Sequence, residues 1–267
     1  MKKITLFVLL ISVLVSCRNE KKDTDTKNST TAIADTLTYT YDSVKVYSKN
    51  IINTQQIVDT AKAVITYPVF KNDTLNTLIQ RKVTDFYGKE EKLITYPEIA
   101  KSFINGYDAF FAENKDTPQH WFLLIDINVL KQTENYIALR YQHSDYVGGA
   151  HGNSNISYIN YSPKTNTQIT LDSLIDKSNR AKLLSIAEGI FRKNEKLSPT
   201  ETLSGKYFFL DDKFSLSENY YVSDKGLVFL YNPYEIKAYA FGTTELVIPF
   251  AAIKEIAKPN TILSSQK

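Results

Sequence analysis

The residues best suited to chemistry gather in two short stretches. Val147-Gly148-Gly149-Ala150-His151-Gly152-Asn153 surrounds one of the chain's three histidines with three glycines. Glycine tolerates positive φ and lets other groups approach the backbone closely. Such a loop can present the His151 imidazole and the Asn153 amide at the end of a sheet. It equally suits a wide strand connection whose polar side chains bond their own backbone. It is not a phosphate loop, because it lacks the trailing Gly-Lys-Ser/Thr and the helix behind it. The second stretch is Tyr231-Asn232-Pro233-Tyr234-Glu235-Ile236-Lys237-Ala238-Tyr239-Ala240, with three tyrosines and a carboxylate around a proline-fixed turn. An aromatic, polar-tipped loop of this kind suits contact with a protein or a sugar. The expected ligand-binding residues are therefore His151, Asn153, Pro233, Tyr234, Glu235 and Tyr239, with Tyr234 as aromatic anchor and Glu235 as polar contact.

Other chemistry has less support. His143, Asp145 and His151 are the only clustered metal-ligand candidates, and their spacing matches no ligand signature. No metal, cofactor or catalytic residue is expected. Asp211-Asp212 reads as a turn before Phe214, and there is neither a nucleophilic serine elbow nor an activated cysteine.

The single cysteine of the 267 residues, Cys17, has a different role. Lys2 and Lys3 precede an apolar run from Ile4 to Val15, too short for a membrane span of roughly 20 residues. Its length fits a signal-peptide core. Leu14-Val15-Ser16-Cys17 closes it in the pattern of a lipoprotein cleavage site, with a thiol for thioether lipidation and a small residue before it. Residues 1–16 are thus expected to be a signal peptide. Residues 17–36, polar and aperiodic, are expected to form a disordered tether behind a lipidated Cys17, which holds the protein to a membrane outside the cytoplasm. Arg18, where known sorting rules would place Asp for retention, points to the outer membrane. With Cys17 lipidated, no thiol remains for a disulfide. The net charge of +3 gives no electrostatic case for nucleic acid.

Periodicity supplies the elements that must position these residues. Leu37–Tyr41, Val44–Tyr47 and Ala63–Phe70 read as strands, with Pro68 marking an edge or bulge. Leu75, Leu78, Ile79, Val83 and Phe86 fall at helical spacing behind Asn72 or Asp73, and Gly88 is expected to end that helix. Thr95-Tyr96-Pro97-Glu98 has capping-box spacing and opens a second helix whose Ile99, Phe103, Tyr107, Phe110 and Phe111 share a face. Trp121–Leu130 and Tyr136–Tyr146 read as a long antiparallel pair, followed by strands at Asn155–Tyr161 and into Leu171. A third helix spans Asn179–Lys196. Strands at Asn219–Val222, Gly226–Tyr231 and Glu245–Ile248 lead to a short last helix near Pro249. The expected fold is α+β, a mainly antiparallel sheet with three longer helices and a short C-terminal helix, in two interlocked halves. The expected units are residues 37–117 and 118–258, with a tail at 259–267.

Several motifs in order carry a resemblance. They are Gly148-Gly149-Ala150-His151-Gly152-Asn153, Phe208-Phe209-Leu210 through Phe214-Ser215-Leu216, and Asn219-Tyr220. Lys225-Gly226-Leu227-Val228-Phe229, Asn232-Pro233-Tyr234-Glu235-Ile236 through Tyr239-Ala240, and Val247-Ile248-Pro249-Phe250 follow. Over residues 40 to 257 the chain resembles the extracytoplasmic domain family shared by the lysozyme-sensing anti-sigma factor RsiV and the front part of the peptidoglycan deacetylase PdaC. The resemblance implies two α+β halves and work on lysozyme or cell-wall glycan. Two departures narrow it: a signal peptide and Cys17 stand where a sigma-binding segment and membrane span would be, and the chain ends at Lys267 without room for a deacetylase domain. The expected function is a lipid-anchored binding protein for a lysozyme-like protein or cell-wall glycan, with no nucleic-acid partner. The alternatives are a glycan hydrolase or esterase using His151 with a carboxylate, and a structural component of an envelope complex.

Overall fold

A computed structural model of the protein describes residues 38–53, 58–91, 93–115 and 119–264, with the backbone alone for Phe86 and residues 88–91. Cys17 and the expected leader and tether lie outside these residues. Among the described residues no helix is long and apolar enough to cross a membrane.

Strands β1 (Tyr39–Asn53) and β2 (Val58–Phe70) open a six-stranded sheet. The two segments expected within β1 are one continuous strand, with a register shift between Tyr47 and Ile51. Its polar middle is held because Ser48 and Asn50 both donate to Asp108, Asn50 at 2.9 Å. Pro68 is tolerated for a readable reason. The Lys71 N–H donates to the Thr38 carbonyl, so by the antiparallel alternation the Tyr41–Pro68 pair is a non-bonded one. Its nitrogen faces the side where pairing with the next strand has stopped at Thr66.

Helices α1 (Asp73–Glu91) and α2 (Tyr96–Glu113) follow. Asn72 caps α1, accepting from the Leu75 N–H at 3.0 Å, and Leu75, Ile79 and Val83 are buried against the sheet. Gly88 does not end α1, which runs on to Glu91; an interior glycine costs only about 1 kcal/mol against alanine. The capping box of α2 forms as spaced, with the Glu98 N–H on Thr95 Oγ1 and the Thr95 N–H on Glu98 Oε2. Both helices lie in the crossover to β3 (Phe122–Thr133), which pairs parallel to β2, a pairing that needs a long connection of this kind.

The remaining sheet is antiparallel: β4 (Tyr136–Tyr146), β5 (Asn153–Ser162) and the two-residue β6 (Thr167–Gln168). The helical turn α3 (Leu171–Leu174) and helix α4 (Arg180–Asn194) lead to a second, three-stranded sheet of β7 (Tyr220–Val222), β8 (Gly226–Tyr231) and β9 (Thr244–Pro249), closed by α5 (Phe250–Ile253). The expected α+β architecture holds. The division expected between residues 117 and 118 falls between α2 and β3, and the six-stranded sheet draws strands from both sides of it.

β4 interlocks the halves. Ile137, Leu139 and Tyr141 belong to the core under α1 and α2, whereas Tyr136 and Ala138 belong to the core built by α4 and β7–β9. Such burial on both faces follows from side chains alternating along a strand. Polar contacts complete the joint. The Tyr136 hydroxyl donates to Asn160 at 2.5 Å and accepts from the Val222 N–H at 2.8 Å. Along β5, the open edge beyond β6 is paired by side-chain amides in place of a strand. The Asn232 amide accepts from the Ile156 N–H at 2.7 Å and donates to its carbonyl at 3.0 Å. Asn219 accepts from the Tyr158 N–H at 2.9 Å and donates to the Ile156 carbonyl at 2.7 Å.

Candidate functional site: a cleft where the two halves meet

The end of β4 places Tyr141, His143 and Asp145 on one face by strand alternation, and the antiparallel register sets Asn155 opposite His143 and Asn153 opposite Asp145. Pro233, Tyr234 and Tyr239 form the facing wall of a cleft of about 270 Å³. Both expected stretches therefore converge on one place.

The loop between β4 and β5 is shaped by its glycines. Gly148 and Gly149 hold φ of +100° and +93°, and a Cβ on Gly148 would sit 2.0 Å from the Gln119 side-chain oxygen. His151 stands at the rim with its ring stacked on Tyr239, centroids 4.1 Å apart and planes at 15°. Its Nε2 lies 3.3 Å from the Tyr234 hydroxyl, and its Nδ1 lies 3.1 Å from the Gly152 carbonyl. Tyr239 donates to that same carbonyl at 3.1 Å. Both imidazole nitrogens are thus occupied, and no carboxylate bonds His151 among the described residues.

The wall is a tight turn. The Glu235 N–H donates to the Asn232 carbonyl at 3.1 Å, Pro233 takes the second position, and Tyr234 takes the third with φ of +70°. That position in a type II turn ordinarily holds glycine or asparagine. A tyrosine there costs on the order of 1–2 kcal/mol, strain that persists only where the surroundings fix it. Buried Asn232 supplies the fixing, through its bonds to Ile156. The strained residue is the one whose hydroxyl meets His151.

Of the six expected binding residues, His151, Asn153, Pro233, Tyr234 and Tyr239 come together. Glu235 does not face the cleft. Its carboxylate accepts from the Asn232 amide at 3.2 Å and lines a separate groove with Phe208, Leu210 and Ser217. The turn's geometry explains this, because Glu235 follows Tyr234 around the bend and points to the opposite side.

Sequence reasoning weighed His143 and Asp145 only as metal ligands with His151. His151 is instead engaged by tyrosines, and no group of three potential ligands forms among the described residues. Buried His143 has the Tyr87 hydroxyl of α1 2.8 Å from Nε2 and Asp145 3.6 Å from Nδ1, while Asn153 donates to Asp145 at 3.2 Å. Burial pushes the His143 imidazole below the ordinary histidine range, an effect the nearby Asp145 only partly offsets. Burial likewise pushes the Tyr87 phenol upward, so both rings stay neutral near pH 7. The Tyr141 hydroxyl is buried without a hydrogen-bond partner among the described residues. The signal for this group was present in the text: Tyr141, His143 and Asp145 alternate along a strand.

Residues 54–154 match the family described as "Deacetylase PdaC", and residues 172–251 match that described as "Protein of unknown function (DUF3298)". A DUF3298 family protein from Bacteroides fragilis has the same fold, with a TM-score of 0.67 at 20% identity over 87% of this chain and 99% of that one. A DUF3298 family protein from Pseudomonas aeruginosa gives 0.63 at 16% identity, over 85% and 97%. No curated protein matches the chain. The stretch matched to the PdaC description carries the cleft floor, from Tyr141 through Asn153, and the stretch matched to the DUF3298 description carries the Pro233–Tyr239 wall.

Proposed function

We propose that this protein is a lipid-anchored binding protein of the cell envelope that engages a lysozyme-like protein or a cell-wall glycan through the surface around Tyr234. The observation that carries this reading is the His151–Tyr239–Tyr234 cluster, held at a cleft mouth by a strained turn. Aromatic rings with polar tips on rigid supports give contact area at low entropic cost. The surroundings also favour docking. Tyr234, Phe241 and Val147 are all exposed beside the cleft segments, as are Phe208 and Leu210 on the Glu235 side of the turn. Exposed apolar groups of this kind mark an interaction surface where they gather into one patch. For a basic lysozyme-like partner, Glu235 on the far side of the turn would add electrostatic steering rather than cleft contact.

Anchoring through Cys17 rests on the sequence of residues 1–17 and on the resemblance to an extracytoplasmic domain family. Metabolic labelling with a palmitate analogue tests it, with label expected on the native chain and lost in Cys17→Ala. Binding is tested with the purified mature chain against lysozyme and soluble peptidoglycan fragments. Tyr234→Ala is expected to weaken the interaction at least ~10-fold, as removal of an aromatic anchor does. If neither partner binds at micromolar concentration, the proposal fails.

A further inference from the structure

We infer that the cleft between β4, β5 and the Tyr234 turn is a receptor for a cationic head group, an ammonium or a guanidinium. This rests on reading the cleft as a binding site and names the chemistry of its ligand. Asp145 stands on the floor with its side chain 16% exposed. Among the described residues its one direct hydrogen bond comes from the neutral Asn153 amide, and His143 approaches at 3.6 Å. No lysine or arginine is among the described residues that line the cleft. A half-buried carboxylate with neutral neighbours is an unbalanced charge, and confinement raises the value of any cation that reaches it.

The other lining groups point the same way. Tyr141, Tyr234 and Tyr239 line the cleft with aromatic rings, a residue type that attracts cations electrostatically. Asn153 spends its amide N–H on Asp145 and keeps an oxygen to accept with. Tyr141 holds a buried hydroxyl with no partner among the described residues. The set is rich in acceptors, and ammonium and guanidinium groups are donors only. A volume of 270 Å³ is below that of clefts for extended ligands, so it takes a head group on a chain or ring. An anion would meet Asp145 unfavourably, and a neutral hydroxylated ring would leave its charge unpaired. The cation can belong to a lysine or arginine side chain of a protein or to an amino sugar of a glycan.

The test is an NMR titration of the mature chain, following the His151, Tyr234 and Tyr239 ring signals. The probes are Nα-acetyl-lysine amide, Nα-acetyl-arginine amide, glucosamine and N-acetylglucosamine. Shifts are expected with one or more of the three cationic probes, and with N-acetylglucosamine only at ~10-fold higher concentration or not at all. A response to the amino-acid amides alone assigns a protein source, and one to glucosamine alone an amino sugar. Asp145→Asn, which retains size and hydrogen-bonding capacity, should weaken the cationic probes about tenfold while thermal unfolding stays cooperative. Asp145→Glu, which keeps the charge, serves if the asparagine variant does not fold, and should keep the preference for cations over N-acetylglucosamine. Equal binding of glucosamine and N-acetylglucosamine, insensitive to Asp145→Asn, would overturn the cation assignment while leaving the cleft a binding site. Silence of every probe, with lysozyme or peptidoglycan fragments still bound through Tyr234, would overturn it and spare the proposed function. Silence of probes and partners together would overturn both.

Discussion

Replacing Asn232 with alanine tests whether side-chain amides act as the missing strand along β5. The substitution removes the acceptor for the Ile156 N–H at 2.7 Å and one donor to its carbonyl at 3.0 Å. The two losses differ. The carbonyl keeps the Asn219 amide at 2.7 Å, whereas the N–H is left without a partner. An orphaned, largely shielded N–H costs about 1–3 kcal/mol, and the retained carbonyl bond adds little. The expected loss is therefore about 2 kcal/mol, or a fall in Tm of roughly 4–8 °C for a domain of this size. Urea unfolding followed by Trp121 fluorescence measures it, since Trp121 packs against Phe103, Phe110 and Tyr107 in the first half. That probe lies away from the mutated joint, so a shifted midpoint reports global coupling. The double variant Asn219→Ala/Asn232→Ala strips the Ile156 carbonyl of both donors. It should cost more than the sum of the singles by at least ~0.5 kcal/mol. An Asn232→Ala effect within about 0.5 kcal/mol of zero, or strict additivity in the double variant, refutes the reasoning.

Three further outcomes follow from the same geometry. Tyr136→Phe leaves Asn160 and the Val222 N–H short of a partner in a buried joint, and should lower unfolding free energy by about 1–3 kcal/mol in chemical denaturation. Gly226→Ala should destabilise by more than ~2 kcal/mol, measured as Tm, because φ is +155° and the new Cβ would stand 2.0 Å from the Ile248 carbonyl oxygen. His143, faced by Tyr87 from α1 and by Tyr141 and Asp145 on β4, should titrate below 6.5 by NMR, because burial outweighs Asp145. The unfolded chain then binds its proton more readily than the folded one, so stability falls as pH drops from about 6.5 towards that depressed value. His143→Gln should flatten this dependence.

The sequence was readable where local rules dominate. The Thr95–Glu98 capping box, the apolar faces of α1 and α2, and the strands from β3 onward all follow from spacing that neighbours enforce. It misled where distant contacts override local preference. The polar Ser48-Lys49-Asn50 text looks like a break in β1, yet the strand continues because Asp108, on α2, satisfies it. Gly88 carries a stop signal that α1 passes through. The parallel pairing of β2 with β3 depends on where two helices place the returning chain, which no local pattern encodes. In the candidate site, the two segments were found because unusual composition marks them. Their orientation was not: Glu235 turns away since its neighbour Tyr234 holds a positive φ, a backbone state that a tyrosine in the text gives no reason to expect.

That orientation shifts the weight of the site from Glu235 to Asp145. Both are carboxylates close to aromatic rings, but their surroundings give them different work. Glu235 is exposed and bonds the amide of Asn232, where solvent screens its charge and leaves it a long-range role at most. Asp145 sits at the bottom of a cleft with neutral hydrogen-bonding neighbours and aromatic walls, where its charge acts at short range. The floor that holds Asp145 lies in the stretch matched to the PdaC description, and the wall that closes over it lies in the stretch matched to the DUF3298 description. Neither stretch alone encloses the cleft, and Asn232 both pairs β5 and fixes the turn that forms the wall. The contacts that join the halves are therefore the contacts that build the site. A sequence change that loosens the joint should lower binding and stability together, whereas a change at Asp145 should separate them.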